Sequence, residues 1–150
     1  MNNHKTKAQI QAQNVYYYYN CNPHHKRTDD CVVRAISAST GDSWEKTLRG
    51  LTDCCIKLGD MLHTPECYGK YLTNLGYVKQ KQPSHKDGTK IRFKEFVKMF
   101  NGTAVCNCGK GHVTYVADNA AWDIWDVSDE IVGSYWVHKS ELVFVKKMEE

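Results

Sequence analysis

The stretch from Asp29 to Gly41 (Asp-Asp-Cys-Val-Val-Arg-Ala-Ile-Ser-Ala-Ser-Thr-Gly) restricts what this chain can fold into more than any other. It reads as a helix that opens on Cys31. Asp30 is placed to cap the first free N–H groups, and Gly41 supplies a left-handed stop. Between them the side chains are small or apolar on nearly every side, with Arg34 the one charge. A helix of that kind belongs inside a domain, where other elements cover it all round. A thiol in its first turn feels the positive end of the helix dipole, which favours thiolate. Whether that thiol has a function depends on what base the rest of the chain brings to it.

With 150 residues, 41% of them hydrophobic, the chain is the size of one domain with a substantial core. Residues 1–14 are polar and read as a flexible tail, and residues 15–150 as a single domain. No apolar run is long enough to span a bilayer, and the N-terminus carries no signal-peptide segment. The expectation is a cytoplasmic protein with no membrane partner. A net charge of +3 is too slight to imply a nucleic-acid partner. Residues 1–28 hold Lys5, Lys7, Lys26 and Arg27 and no acid, which reads as a solvated tail. Seven cysteines, an odd number without a secretion signal, point to thiols, metal ligands or a nucleophile rather than a disulfide scaffold.

Along the chain, Val15–Tyr19 has the β-propensity of a short edge strand. A second helix runs from Asp42 or Ser43 to about Leu58, with Trp44, Leu48, Leu51, Cys55 and Leu58 forming an apolar stripe. Cys54 and Cys55 read as packing residues. Thr64-Pro65 starts a third helix that ends near Gly76. Tyr77–Lys79 is a short strand, and Phe93, Phe96, Val97 and Phe100 mark a further helix. Strands follow: Thr103–Cys106, a hairpin of His112–Ala117 and Ala121–Asp126, then Tyr135–Val137 and Leu142–Val145. Helices come first and a mostly antiparallel sheet second, so the fold class is α+β.

Cys31 and His112 are the first candidate site. A cysteine is a competent nucleophile at neutral pH when an imidazolium holds it as thiolate. His112 opens a strand directly after Gly109-Lys110-Gly111, where glycines allow close approach and leave space before the ring. A third polar group must fix the ring's tautomer, and the return strand offers Asp123 and Asp126. An even hairpin loop pairs His112 with Trp125 and puts Asp123 one diagonal step away. An odd loop, such as Asp118-Asn119-Ala120, pairs His112 directly with Asp126. Asp126 is preferred, because a direct pair suits a carboxylate–imidazole hydrogen bond, and Asp123 is the alternative third member. Trp122, Trp125 and Trp136 are candidates to wall a cleft.

A cysteine opening a buried helix, followed by helices and then a Gly-x-Gly-His hairpin that ends in Asp, resembles the papain-like cysteine peptidases. The short Cys31–His112 separation is similar to that of the minimal domains that cut double-glycine leaders. Asn22, Asp30, Cys31, Arg34 and Ala35 also resemble an Asn…Asp-Cys…Arg-Ala pattern in small bacterial and phage proteins. The resemblance implies a hydrolase of peptide or amide bonds acting through a Cys31–His112–Asp126 triad and a thioester, with no cofactor and a peptide or protein substrate. His25 stands near the place of the family's oxyanion glutamine, which leaves Asn22 and the Cys31 amide as oxyanion donors. Leader peptidases carry Cys-Gly-Pro where this chain has Cys31-Val32-Val33, so their substrate does not carry over.

A competing reading is a non-catalytic binding module, either a papain-like fold without activity or a zinc-stapled one. Cys106, Cys108 and His112 are the ligand set for the second case. The gap in Cys-x-Cys is tighter than zinc sites usually use, and no second Cys-x-x-Cys knuckle is present.

Overall fold

The computed structural model describes residues 14–109 and 111–150. The tail expected over residues 1–14 lies, but for Asn14, outside the described residues. Strand β1 (Tyr16–Tyr18) is followed by three helices, α1 (Cys31–Thr40), α2 (Trp44–Leu58) and α3 (Pro65–Asn74). Then come β2 (Tyr77–Gln80), α4 (Phe93–Met99), β3 (Ala104–Cys108), β4 (His112–Ala117), β5 (Ala120–Asp123), β6 (Val132–His138) and α5 (Leu142–Glu149). The class is α+β.

Local chemistry explains the helix ends. The Ser43 side chain accepts from Lys46 N–H at the start of α2, and Thr64 accepts from Cys67 N–H at the start of α3, with Pro65 in the first position. Gly41 closes α1 with φ of 78°, its N–H bonding to the Ser37 carbonyl. Asp30 stands at the N-cap position of α1 but makes no side-chain cap bond; its carboxylate is used elsewhere, as described below.

The six strands form one mixed sheet in the order β1-β5-β4-β3-β6-β2. β1 runs parallel to β5, and the other neighbours are antiparallel. Two cores result. One gathers Phe93, Phe96 and Phe100 of the α4 segment against Cys106, Cys108, Val116 and Tyr135. The other packs Val32, Val33, Ala35 and Ile36 of α1 against Leu51, Cys67, Leu72, Val105 and Val113. In α1 six consecutive residues, Val32–Ser37, are buried, as expected of a helix apolar on every side. Cys54 and Cys55 face this second core. β1 is an edge strand, with Tyr16 and Tyr17 half-buried and Tyr18 and Tyr19 exposed.

Two expected strands are corrected. Leu142–Val145 is not a strand but the first turn of α5. A short turn over Lys139–Glu141, in which His138 Nδ1 accepts from Ser140 N–H, ends β6 and starts the helix. Leu142, Val145 and Met148, at helical spacing, then meet the phenylalanine core while Val143 stays exposed. The strand expected over Ala121–Asp126 stops at Asp123. Its turn is even: Asp118 and Asn119 both take positive φ (53° and 57°), and Ala117 pairs with Ala120. A two-residue turn with both residues left-handed suits Asp and Asn and matches the twist of a hairpin.

Candidate active site

The even turn determines which acid meets the histidine. With Ala117 opposite Ala120 and Tyr115 opposite Trp122, Asp123 falls one diagonal step from His112. His112 Nε2 lies 2.6 Å from Asp123 Oδ2. Asp126, the preferred partner in the sequence reading, sits beyond the strand end. Its carboxylate instead accepts from the N–H and hydroxyl of Ser128. The acid that meets His112 is therefore Asp123 and not Asp126.

The Cys31 thiol lies beside the His112 ring, close enough for each to shift the other's pKa. Because Nε2 is taken by Asp123, Nδ1 is the ring nitrogen left for the thiol. The Val113 N–H points at the same sulfur. Burial pushes the Cys31 thiol up, but the imidazole bond, the Val113 N–H and the charges on His112 and Arg34 outweigh it, so its pKa lies below the ordinary value. Burial likewise pulls His112 down, but its bonds to Asp123 and Cys31 win and raise its pKa to about 9. Asp123 is opposed by its own burial and held below the usual carboxylate range mainly by the His112 bond. The Thr114 hydroxyl is close enough to lower Asp123 further, yet it makes no complete hydrogen bond. These shifts favour a thiolate–imidazolium pair next to an ionised carboxylate.

Behind the pair stands a buried polar chain. Arg34, 6% exposed, donates from Nε to Asp30 Oδ1 at 2.7 Å and from Nη1 to Asp123 Oδ1 at 3.0 Å. Asp30 Oδ2 accepts from Trp44 Nε1 at 2.9 Å and from Asn22 Nδ2 at 3.1 Å. Asn22 Oδ1 in turn accepts from the N–H groups of His24 and Lys26. Asn22 is thus a buried brace of the loop before Cys31, its amide donating to Asp30. The Cys31 N–H, in the first turn of α1, has no partner within the helix ladder. Sequence reasoning missed this chain. Asp30 and Arg34 at i, i+4 were a visible signal, but Asp123 is 89 residues away from Arg34.

Of the tryptophans expected to wall a cleft, Trp125 has its ring centroid 4.7 Å from that of His112, and Trp122 lines a small cavity with Cys31 and Asp123. Trp122 stacks on Tyr17, and Trp136 packs against Gly69. Gly111 has φ of 77°, and a Cβ there would meet nothing within 4 Å. Glycine at that position serves the left-handed turn, not close approach. His25 is exposed and also left-handed, with φ of 56°.

The zinc set is not assembled. Cys106 and Cys108 sit in the phenylalanine core, where burial pushes the Cys106 thiol well up. Among the described residues no group of three His, Cys, Asp or Glu side chains could hold a metal ion. A cavity of about 790 Å³ lies between the Pro23–His24 loop and the Trp44–Asp53 face of α2. It does not include Cys31 or His112, although Trp44 links its wall to Asp30. No helix among the described residues is long and apolar enough to cross a membrane. No family model, curated protein or solved structure matches this chain.

Proposed function

We propose that this protein is a cysteine hydrolase of peptide or amide bonds with a papain-like arrangement, using Cys31, His112 and Asp123. The observation that carries the reading is one ring set between a carboxylate at 2.6 Å and a thiol at a helix N-terminus. A purely packing histidine needs neither partner, and a buried structural thiol has a raised pKa, as Cys106 and Cys67 do.

In this reading the Cys31 thiolate attacks the substrate carbonyl carbon. The Cys31 N–H, at the positive end of α1, stabilises the oxyanion that forms. His112 gives its proton to the departing amine as the C–N bond breaks, leaving a thioester on Cys31. Neutral His112 then takes a proton from water, which attacks the thioester and frees the carboxylic acid and the thiol. Asp123 keeps Nε2 protonated throughout, so the other ring nitrogen faces the sulfur. Asn22, committed to Asp30, acts in this scheme as a loop brace rather than as an oxyanion donor. The substrate is a peptide or protein segment, and the compartment is the cytoplasm.

The reading is tested by exposing the protein to a mixed peptide library and following two signals by mass spectrometry: cleaved or deamidated products, and an acyl adduct on Cys31 after acid quench. Both are expected with the wild-type chain and neither with Cys31→Ala. Products that persist in Cys31→Ala, or no product and no adduct from the wild type, would overturn it.

A further inference from the structure

Arg34 is the one charged side chain of α1, and it is almost wholly buried. Burying a guanidinium is costly unless every direction of its fork finds an acceptor. Here the two acceptors belong to different parts of the fold: Asp30 at the mouth of α1, and Asp123 at the end of β5. The two oxygens of Asp123 are divided between tasks. Oδ1 accepts from Arg34 Nη1 and from the Ile124 N–H at 2.7 Å, and Oδ2 alone meets His112. A carboxylate held at Oδ1 from two directions cannot swing, so Oδ2 stays on the ring.

We propose that Arg34, anchored on Asp30, is a positioning residue that fixes the orientation of Asp123 and through it the His112 ring. The inference rests on the thiol–imidazole reading given above. Spacing supports it: Cys31 and Arg34 are three residues apart and lie on neighbouring positions of one helix face. α1 therefore carries both the nucleophile and the clamp on the group that orients its base. Any shift of α1 against the hairpin moves the two together. Asn22 and Trp44 extend the clamp outward by fixing Asp30 from the preceding loop and from α2. A lysine could not substitute, since the role needs two donors aimed at two acceptors from one rigid plane.

The test uses Arg34→Lys in the full chain, with folding checked by circular dichroism. Two readouts follow that a merely structural role would not move in a folded variant. One is the low-field proton signal of His112 Nε2–H, expected in the wild type from its short bond to Asp123. The other is the pH profile of Cys31 alkylation by iodoacetamide. Arg34→Lys is expected to broaden or lose the proton signal and to move the acid limb of alkylation up by about one pH unit. That is roughly a tenfold loss of rate below the limb. A folded Arg34→Lys with both readouts unchanged would overturn the proposal. If Arg34→Lys does not fold, the proton signal is read in Asp30→Asn, where weakening supports the clamp and full persistence overturns it. Absence of any hydrolysis by a wild-type protein that shows the low-field proton and the low-pH alkylation limb would remove the hydrolase reading alone.

Discussion

The Trp125 indole lies tilted by 42° over the His112 ring, with centroids 4.7 Å apart, and covers the ring that bonds Asp123. Trp125 is 37% exposed while the His112 side chain is 14% exposed, so the indole spends part of its surface on solvent and shelters the imidazole. An aromatic face over an imidazolium also favours the charged ring. Trp125→Ala is expected to open the His112–Asp123 bond to water, where a charge-assisted bond is weaker. The His112 pKa should then move down toward its ordinary value, measurable by imidazole NMR titration. An unchanged titration would show that the indole is not a shield.

The two candidate acids separate cleanly by substitution. Asp123→Asn removes the acceptor that keeps Nε2 protonated, and it should lower hydrolysis on the order of 10²–10⁴-fold. Asp126→Asn touches only the Ser128 turn. It should leave the rate per folded molecule unchanged and cost about 0.5–1.5 kcal/mol of stability. Steady-state rates with a cleaved peptide and denaturant melts check both; loss of activity in Asp126→Asn would reverse the assignment.

The pH dependence has a definite sign. The Cys31 pKa is lowered and that of His112 is raised to about 9, so the charged pair exists between the two. Below the Cys31 value the sulfur is protonated and attack fails. Above about 9 the ring loses its proton and cannot protonate the departing amine. A pH–rate profile should therefore rise through the lowered Cys31 value and fall on the alkaline side near 9. The raised histidine also stabilises the fold. That contribution is complete below the unfolded value near 6.5 and is lost as pH climbs through about 9. Melts across this range should show stability declining, less steeply in His112→Ala.

A change distant from the site provides a control. Gly50 in α2 faces Tyr71 of α3, and a Cβ there would clash with the ring carbon Cε2. Gly50→Ala gains up to about 1 kcal/mol of helix propensity, but forcing the buried ring aside costs about 1–3 kcal/mol. Net destabilisation of up to about 2 kcal/mol is expected from these two terms when the full propensity gain is realised, with the alkylation profile of Cys31 unaltered. Chemical denaturation measures the first and labelling the second.

Local signals in the chain carried most of the fold. Ser43, Thr64-Pro65 and Gly41 act within one turn of their own positions, so the helix ends they predict stand where expected. Leu142–Val145 misled because four apolar residues fit a strand as well as a helix; Val143 outside and Val145 inside identify the helix only once the core is known. The hairpin acid turned on a single residue of loop length. Asp118-Asn119 is a favourable pair for two successive left-handed positions, and reading it as the whole loop would have selected Asp123. Arg34 was legible as a charge in a buried helix, but its distant acceptor comes from another part of the chain and leaves no local trace.

The central claim is that His112 and Asp123 hold Cys31 as a thiolate. The most direct measurement is the rate of iodoacetamide labelling at each cysteine against pH, in the wild type and in His112→Ala. The account predicts that Cys31 labels first and alone, at a lower pH than any other cysteine, and that His112→Ala slows it at neutral pH by an order of magnitude or more. Labelling of Cys31 no faster than that of partly exposed Cys21 or Cys55, or a Cys31 rate indifferent to His112→Ala, would contradict it.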